Sequence, residues 1–310
     1  MSETNGQRGR VILRTEGLRK QYGRIVAVQD LNIEVYDGEV FSFLGPNGSG
    51  KSTTVGMMLG LIKPTRGRVL AFGQDMTARP WPALRRIGAL AEAATFYPYL
   101  SGYDNLKALT ILLGDIHRKR IDEVLELVGL RERAKDPYRT YSLGMKQRLG
   151  IAAALMREPE LIILDEPTNG LDPAGTAEVR DLIPELARQG RSVFLCSHLL
   201  YEVQQVSDRV AIVKNGRLIS QGGVDELLRR GRFLRLRAED NTAVSGVLGA
   251  IAWVRGVEAV DGYLRVDAPV EKAAELNRIL SSKELYLSEL GPWETDLESV
   301  FLGLTQGSSE

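Results

Sequence analysis

The 310-residue chain contains one cysteine, Cys196, and two histidines, His117 and His198. A lone thiol has no partner within the chain, which excludes an intrachain disulfide and a zinc site built on cysteine. Two histidines are too few for a histidine-rich metal site. One cysteine fits a reducing compartment, and a disulfide-free periplasmic protein would look the same. Long apolar runs are also missing. No stretch reaches the ~18 consecutive apolar residues of a membrane span. The segment Met1–Arg10 is polar and lacks the apolar core of a secretory signal, so the chain is expected to stay in the compartment where it is made. There is no net charge either: 40 Lys+Arg balance 40 Asp+Glu. A protein that coats nucleic acid needs a surplus of cations over the phosphates it neutralises, so no nucleic-acid partner is expected. The balance is a sum of opposite halves, with 32 basic and 27 acidic residues before Gly231, and 8 and 13 from there on.

What is present is an ordinary globular composition, 44% apolar and 26% charged, which argues against a disordered chain. At ~150 residues per domain, the length suggests two domains. From Arg10 to about Arg230, apolar runs alternate with amphipathic stretches. Val40–Leu44, Val69–Phe72, Ile87–Leu90, Leu161–Leu164, Val193–Cys196 and Val210–Val213 read as buried strands. Thr53–Leu61, Arg120–Gly129 and Ala174–Arg188 read as helices. This alternation predicts a largely parallel sheet covered on both faces.

After Arg232 the pattern changes. A half-exposed strand from Phe233 precedes a helix at Ala243–Ala252, and Val257–Val260 and Tyr263–Val266 flank the hairpin signal Asp261-Gly262. A helix at Val270–Ser281 and a strand at Leu285–Ser288 complete the ferredoxin-like order β-α-β-β-α-β. A last helix is expected at Asp296–Leu304. These readings give domains at 10–230 and 231–305, with a tail at 306–310.

Gly45-Pro46-Asn47-Gly48-Ser49-Gly50-Lys51-Ser52 matches G-x-x-x-x-G-K-[ST], between an apolar strand and the helical stretch opening at Thr53. Its glycines let successive N–H groups curve into an anion cradle, and the helix aims its N-terminus at the same phosphates. Lys51 supplies a point charge between the outer phosphates, and the Ser52 hydroxyl is placed to ligate Mg²⁺.

Hydrolysis further requires a metal held opposite the loop and a group that orients water. The run Leu161-Ile162-Ile163-Leu164-Asp165-Glu166 ends in two carboxylates at the C-terminal edge of a buried strand, where α/β proteins place ligands. Asp165 is the candidate Mg²⁺ ligand and Glu166 the candidate general base. The bland alternative is a pair of carboxylates that only caps the loop before Pro167.

With these motifs in view, the sequence from about Val11 to Leu228 resembles the ATP-binding subunit of ABC transporters. Tyr141-Ser142-Leu143-Gly144-Met145-Lys146-Gln147-Arg148 is similar to the signature of that family, usually L-S-G-G-Q before a basic stretch. The resemblance implies a P-loop cassette with a largely parallel sheet and a helical signature subdomain, binding ATP and Mg²⁺. It implies nucleotide contacts from Tyr22, which stacks on adenine, and from Gly45–Ser52 and Thr53. It also implies a head-to-tail dimer with a second copy, in which Ser142 and Gly144 face the γ-phosphate held by the partner. Gly170-Leu171-Asp172 resembles the loop that touches the partner cassette, and His198 the switch histidine that contacts the γ-phosphate. Four of these have simpler readings: Tyr22 as an exposed turn tyrosine, Ser142 and Asp172 as helix N-caps, and His198 as a structural histidine.

Three positions depart from the family pattern. Glu92 stands where a glutamine commonly binds Mg²⁺ and the attacking water, a variant that some peptide-antibiotic exporter cassettes share. It is expected to keep that coupling role while altering metal affinity or the resting ATPase rate. Leu143 and Met145 replace Gly and Gln in the signature. Residues Ala94–Asp104, with Phe96, Tyr97 and Tyr99, are expected to receive the membrane subunit, unless those rings fold back on the core. The C-terminal module resembles the accessory domain of drug-resistance exporters, and its end, Leu297-Glu298-Ser299-Val300-Phe301-Leu302-Gly303-Leu304-Thr305, is similar to their closing helix. The resemblance as a whole implies an ATPase subunit for efflux of a drug, antibiotic or peptide. It would work with a separate transmembrane permease, as a cytoplasmic protein peripheral on the inner face of the membrane. The rival class is a soluble ABC ATPase acting on the ribosome or DNA, which usually carries tandem cassettes, a coiled-coil insertion or strongly basic segments.

Overall fold

The computed structural model describes residues 9–78, 80–91, 95–114, 116–230, 233–293, 297 and 301. In chain order the first unit begins β1 (Val11–Tyr22), β2 (Ile25–Leu31), β3 (Glu34–Tyr36), β4 (Val40–Leu44) and α1 (Lys51–Met58). Then come β5 (Arg66–Ala71), β6 (Gln74–Asp75), α2 (Trp81–Leu84), β7 (Ile87–Leu90), α3 (Gly102–Leu113), α4 (Arg118–Leu127) and α5 (Leu143–Leu155). It closes with β8 (Leu161–Asp165), α6 (Pro173–Arg188), β9 (Ser192–Ser197), α7 (Leu200–Val206), β10 (Arg209–Lys214) and β11 (Arg217–Gly223). The second unit, from Val224, holds α8 (Val224–Arg230), β12 (Phe233–Ala238), α9 (Asn241–Leu248), β13 (Gly256–Val260), β14 (Tyr263–Asp267), α10 (Ala273–Ser281) and β15 (Leu287–Trp293).

The apolar runs form a six-stranded sheet in the order β11-β10-β4-β9-β8-β7, parallel throughout except for the antiparallel edge pair β10/β11. Every residue of β4, β8 and β9 is buried, because both faces of a parallel sheet are covered. Alternate side chains serve different cores. Ile162, Leu164, Val193 and Leu195 pack with α3, α4, α5 and α6 through Leu106, Leu125, Leu149 and Ile183. Leu161, Ile163, Phe194 and Cys196 pack with Leu13, Leu18, Val69 and Met57 on the other side.

That other side is closed by a second, antiparallel sheet, β2-β1-β5-β6 with β3 on β1. The parallel-sheet expectation did not include it. The register of β1 shifts at Leu18–Lys20 and again within its pairing to β5, so its sequence does not alternate cleanly.

In the second unit all strand pairs are antiparallel, in the order β13-β14-β12-β15. This is the ferredoxin-like arrangement. One sheet face meets α9 and α10 through Leu234, Leu236, Leu264 and Val266 against Val244, Leu248, Leu276 and Leu280. The Asp261-Gly262 turn has φ of 47° and 80°, as a two-residue hairpin requires.

Several boundaries differ from expectation, among them α1, which opens at Lys51 and not at Thr53. Asp240 accepts from the Thr242 and Ala243 N–H groups, both at 2.9 Å, and so starts α9 earlier. Val270–Lys272 is a 3₁₀ turn ahead of α10. The Leu285 N–H donates back to Leu280 O at 3.0 Å, so Leu285 closes α10 and the strand begins at Leu287. The helix expected at Asp296–Leu304 lies outside the described residues apart from 297 and 301.

The ring of Phe194 is fully buried, 5.7 Å from Phe41 and 5.8 Å from Phe43 between centroids. Phe194→Ala should cost about 3–5 kcal/mol of first-unit stability, measured by urea unfolding. A loss below about 1 kcal/mol would mean that the two sheets do not depend on this contact.

Candidate active site

Residues 45–50 form the loop between β4 and α1. Gly50 has φ 97°, and a Cβ there would lie 2.3 Å from Ala27 O, so only glycine fits. The loop is tied from behind. The Gly45 N–H donates to Ser197 O (3.3 Å), the Gly216 N–H to Ser49 O (3.2 Å), and the Gln29 N–H to Gly216 O (2.7 Å). Pro46, Asn47 and Gly48 are exposed at the tip, and the Ser49 hydroxyl is buried without a hydrogen-bond partner. The N–H groups of the first turn of α1, including those of Ser52 and Thr53, have no carbonyl a turn behind them. Free N–H donors at a helix N-terminus behind a glycine-rich loop fit a chain of phosphates.

Lys51 is buried, and its Nζ donates to Gly45 O (2.7 Å) and Pro46 O (3.2 Å). The same Nζ lies 3.1 Å from Glu166 Oε1. His198 Nδ1 lies 2.7 Å from Glu166 Oε2. Glu166 therefore bridges a cation on the loop and an imidazole from the end of β9. Its backbone is left-handed, φ 51°, and its N–H donates to Cys196 O at 3.0 Å. A non-glycine residue in that region is held by its surroundings at a cost of ~1–3 kcal/mol, and such residues cluster at functional sites.

Asp165 is buried at the end of β8, and one of its carboxylate oxygens has no hydrogen-bond partner. Burial pushes its pKa up, assisted by the Glu166 charge; the Ser52 hydroxyl and Lys51 pull it the other way. A hydroxyl beside an under-coordinated carboxylate is a donor set that fits a hard divalent cation. Burial raises the Cys196 thiol well above the ordinary range, so it acts as a small core residue.

The remaining expected residues occupy two other places. Tyr22 ends β1, 47% exposed, with the Lys20 ammonium over one face of its ring, 4.8 Å from the centroid. Ser142 caps α5, its Oγ accepting from the Met145 N–H at 3.2 Å, and Asp172 caps α6, accepting from the Gly175 N–H at 3.0 Å. A Cβ on Gly144 would lie 3.3 Å from Gly175 Cα. The glycine expected to let a ligand approach is thus also where α5 and α6 come close. Helix packing joins the signature to the Gly170–Asp172 loop. Among the described residues, no hydrogen bond or ion pair links Ser142, Gly144 or Asp172 to the phosphate loop, Asp165, Glu166 or His198. Glu92 lies outside the described residues.

Near the aromatic segment, a groove of about 710 Å³ is lined by Trp81, Leu84, Leu90, Phe96, Leu109 and Leu112 among others. Phe96 folds back onto Tyr138 edge-on at 5.4 Å, whereas Tyr97, Tyr99, Trp81 and Leu112 are each more than two-thirds exposed. Sequence reasoning missed Gly216 and Ala27 behind the loop, although Asn215-Gly216 carries the two-residue turn signal between Val213 and Leu218. It also missed Glu202, which no motif marks.

Gly50→Ala should lower affinity for a nucleoside triphosphate at least about tenfold, since the added methyl must displace Ala27 or unwind the loop. Titration with a fluorescent nucleotide measures this, and wild-type affinity would remove Gly50 from the cradle.

Residues 28–169 match the family description "ABC transporter". Over 302 residues the chain is 40% identical to the bacitracin transport ATP-binding protein BcrA of Bacillus licheniformis, covering 96% of this chain and 98% of that one. It is 39% identical over 214 residues to the lantibiotic transport ATP-binding protein SrtF of Streptococcus pyogenes, covering 69% and 92%. An ATP-binding cassette of an ABC transporter in its ADP conformation superposes with a TM-score of 0.64 at 25% identity, over 71% of this chain and 95% of that one. A dimeric post-hydrolysis cassette bound to ADP and Pi superposes with a TM-score of 0.61 at 26% identity, over 69% and 99%. The chain belongs to the ABC transporter family, as an ATP-binding and ATP-hydrolysing subunit.

Proposed function

We propose that this chain powers export of a peptide antibiotic or related drug. Two copies would work with a separate membrane subunit, on the inner face of the membrane. The observation that carries this reading is the similarity to a bacitracin transport ATP-binding protein along 96% of the chain. It extends past the first unit into the second, which begins at Val224 and not at the expected residue 231. No helix among the described residues is long and apolar enough to cross a membrane, so the pore is assigned to another polypeptide.

Ser52 and Asp165 would hold Mg²⁺, which neutralises charge on the outer phosphates. The loop amides and Lys51 bind and orient the triphosphate, and Tyr22 stacks on the base. A bound γ-phosphate competes with Glu166 Oε1 for Lys51 Nζ and frees that carboxylate oxygen to accept a proton from water. With Nδ1 protonated, His198 donates to Glu166 Oε2 and fixes its orientation. Ser142 and Gly144 sit apart from this centre, which supports their service to the phosphate loop of a second copy. The exposed rings of Trp81, Tyr97 and Tyr99 beside the apolar groove suit docking of an amphipathic segment of the membrane subunit.

Membrane vesicles holding this chain and its membrane subunit test the proposal. MgATP should drive bacitracin-type peptide to the side away from the cassette. Vesicles that hydrolyse ATP with no net movement of any peptide antibiotic or drug would contradict the export reading.

A further inference from the structure

Glu202 is a buried carboxylate that the mechanism above leaves unused. It lies in the first turn of α7, 8% exposed, and its Oε2 accepts a hydrogen bond from the Thr168 hydroxyl at 2.8 Å. Thr168 is itself 5% exposed and lies two residues beyond Glu166. The segment between them is tight. The Asn169 N–H donates to Glu166 O (3.1 Å) and the Leu171 N–H to Thr168 O (3.2 Å). Two side-chain bonds thus join the 166–172 loop to the 198–206 segment: Glu166 to His198 at 2.7 Å, and Thr168 to Glu202 at 2.8 Å. The lower end of α7 is fixed in turn. Ser207 Oγ lies 2.5 Å from Ser42 Oγ, and Asp208 accepts from the Val40 N–H at 2.8 Å, which ties the segment to β4.

A single bond leaves a strained turn free to pivot, whereas two bonds four residues apart on one segment fix its position and its angle. A hydrogen bond shielded from water is electrostatically stronger than the same bond in solvent. We infer that Glu202 is a positioning residue for hydrolysis: through Thr168 it holds the left-handed Glu166 where its carboxylate meets both His198 and Lys51. The same loop runs on to Asp172 at the start of α6, so this clamp also sets the segment that adjoins the signature helix. The inference rests on the hydrolytic reading of Glu166 given above.

The test is steady-state ATP hydrolysis by the full-length chain, with nucleotide affinity measured separately. Thr168→Val keeps the side-chain shape and removes the donor; Glu202→Ala removes the acceptor. Each should lower kcat about tenfold or more, with KM for MgATP within about twofold, since a tenfold rate loss corresponds to ~1.4 kcal/mol of positioning. Thr168→Ser and Glu202→Gln keep a donor and an acceptor and should retain most of the rate. The double variant Thr168→Val/Glu202→Ala should lose no more than the worse single variant. Wild-type kcat in Thr168→Val would overturn the inference, even if Glu202→Ala fails to fold. Losses that multiply in the double variant, or a loss that falls on KM alone, would overturn it too. A wild-type chain that does not hydrolyse MgATP would sink the functional reading itself, and the clamp with it. Wild-type turnover with indifferent variants would sink only the clamp.

Discussion

The Glu166 carboxylate lies between an ammonium and an imidazole, and much of the first unit serves to hold it there. One oxygen faces Lys51 at 3.1 Å and the other His198 at 2.7 Å. These three residues come from the ends of different elements: Lys51 opens α1, Glu166 follows β8, and His198 follows β9. They converge because β4, β9 and β8 are parallel neighbours with their C-terminal ends together, the edge where a parallel sheet presents ligand-binding loops. The burial that drives these strands together also dehydrates Asp165 and Lys51, both less than a tenth exposed, and low dielectric strengthens each charge interaction there.

The phosphate loop, the carboxylates and His198 were legible in sequence because each follows a strand whose residues are apolar without interruption. Such strands face two cores at once, and their sequences carry no other constraint. The antiparallel sheet was not legible. β1 switches partners along its length, so Val11–Tyr22 mixes buried Ile12, Leu13 and Leu18 with Arg14, Glu16 and Arg19 at irregular spacing. The contact between Thr168 and Glu202 spans 34 positions, and no local spacing rule announces it. Gly144 was picked out as a ligand approach, and the structure adds a packing requirement, its close meeting with Gly175. In the second unit, alternation at Phe233–Ala238 and the Asp261-Gly262 turn made the sheet readable. Helix ends were misplaced where a cap or a 3₁₀ turn, and not hydrophobic periodicity, sets the boundary.

The zero net charge resolves into two units of opposite sign. The first, which carries the phosphate loop, holds the basic excess. The second carries no phosphate motif, and its open sheet face pairs its charges internally, Arg235 with Glu289 at 2.6 Å and Arg265 with Glu258 at 2.9 Å.

Replacing Glu166 with glutamine tests the central role of that carboxylate most directly, since Gln keeps its size and removes its charge and basicity. Glu166→Gln should bind ATP, hydrolyse almost none in a single-turnover measurement, and accumulate as an ATP-bound dimer on a sizing column. Hydrolysis at the wild-type rate would contradict that role.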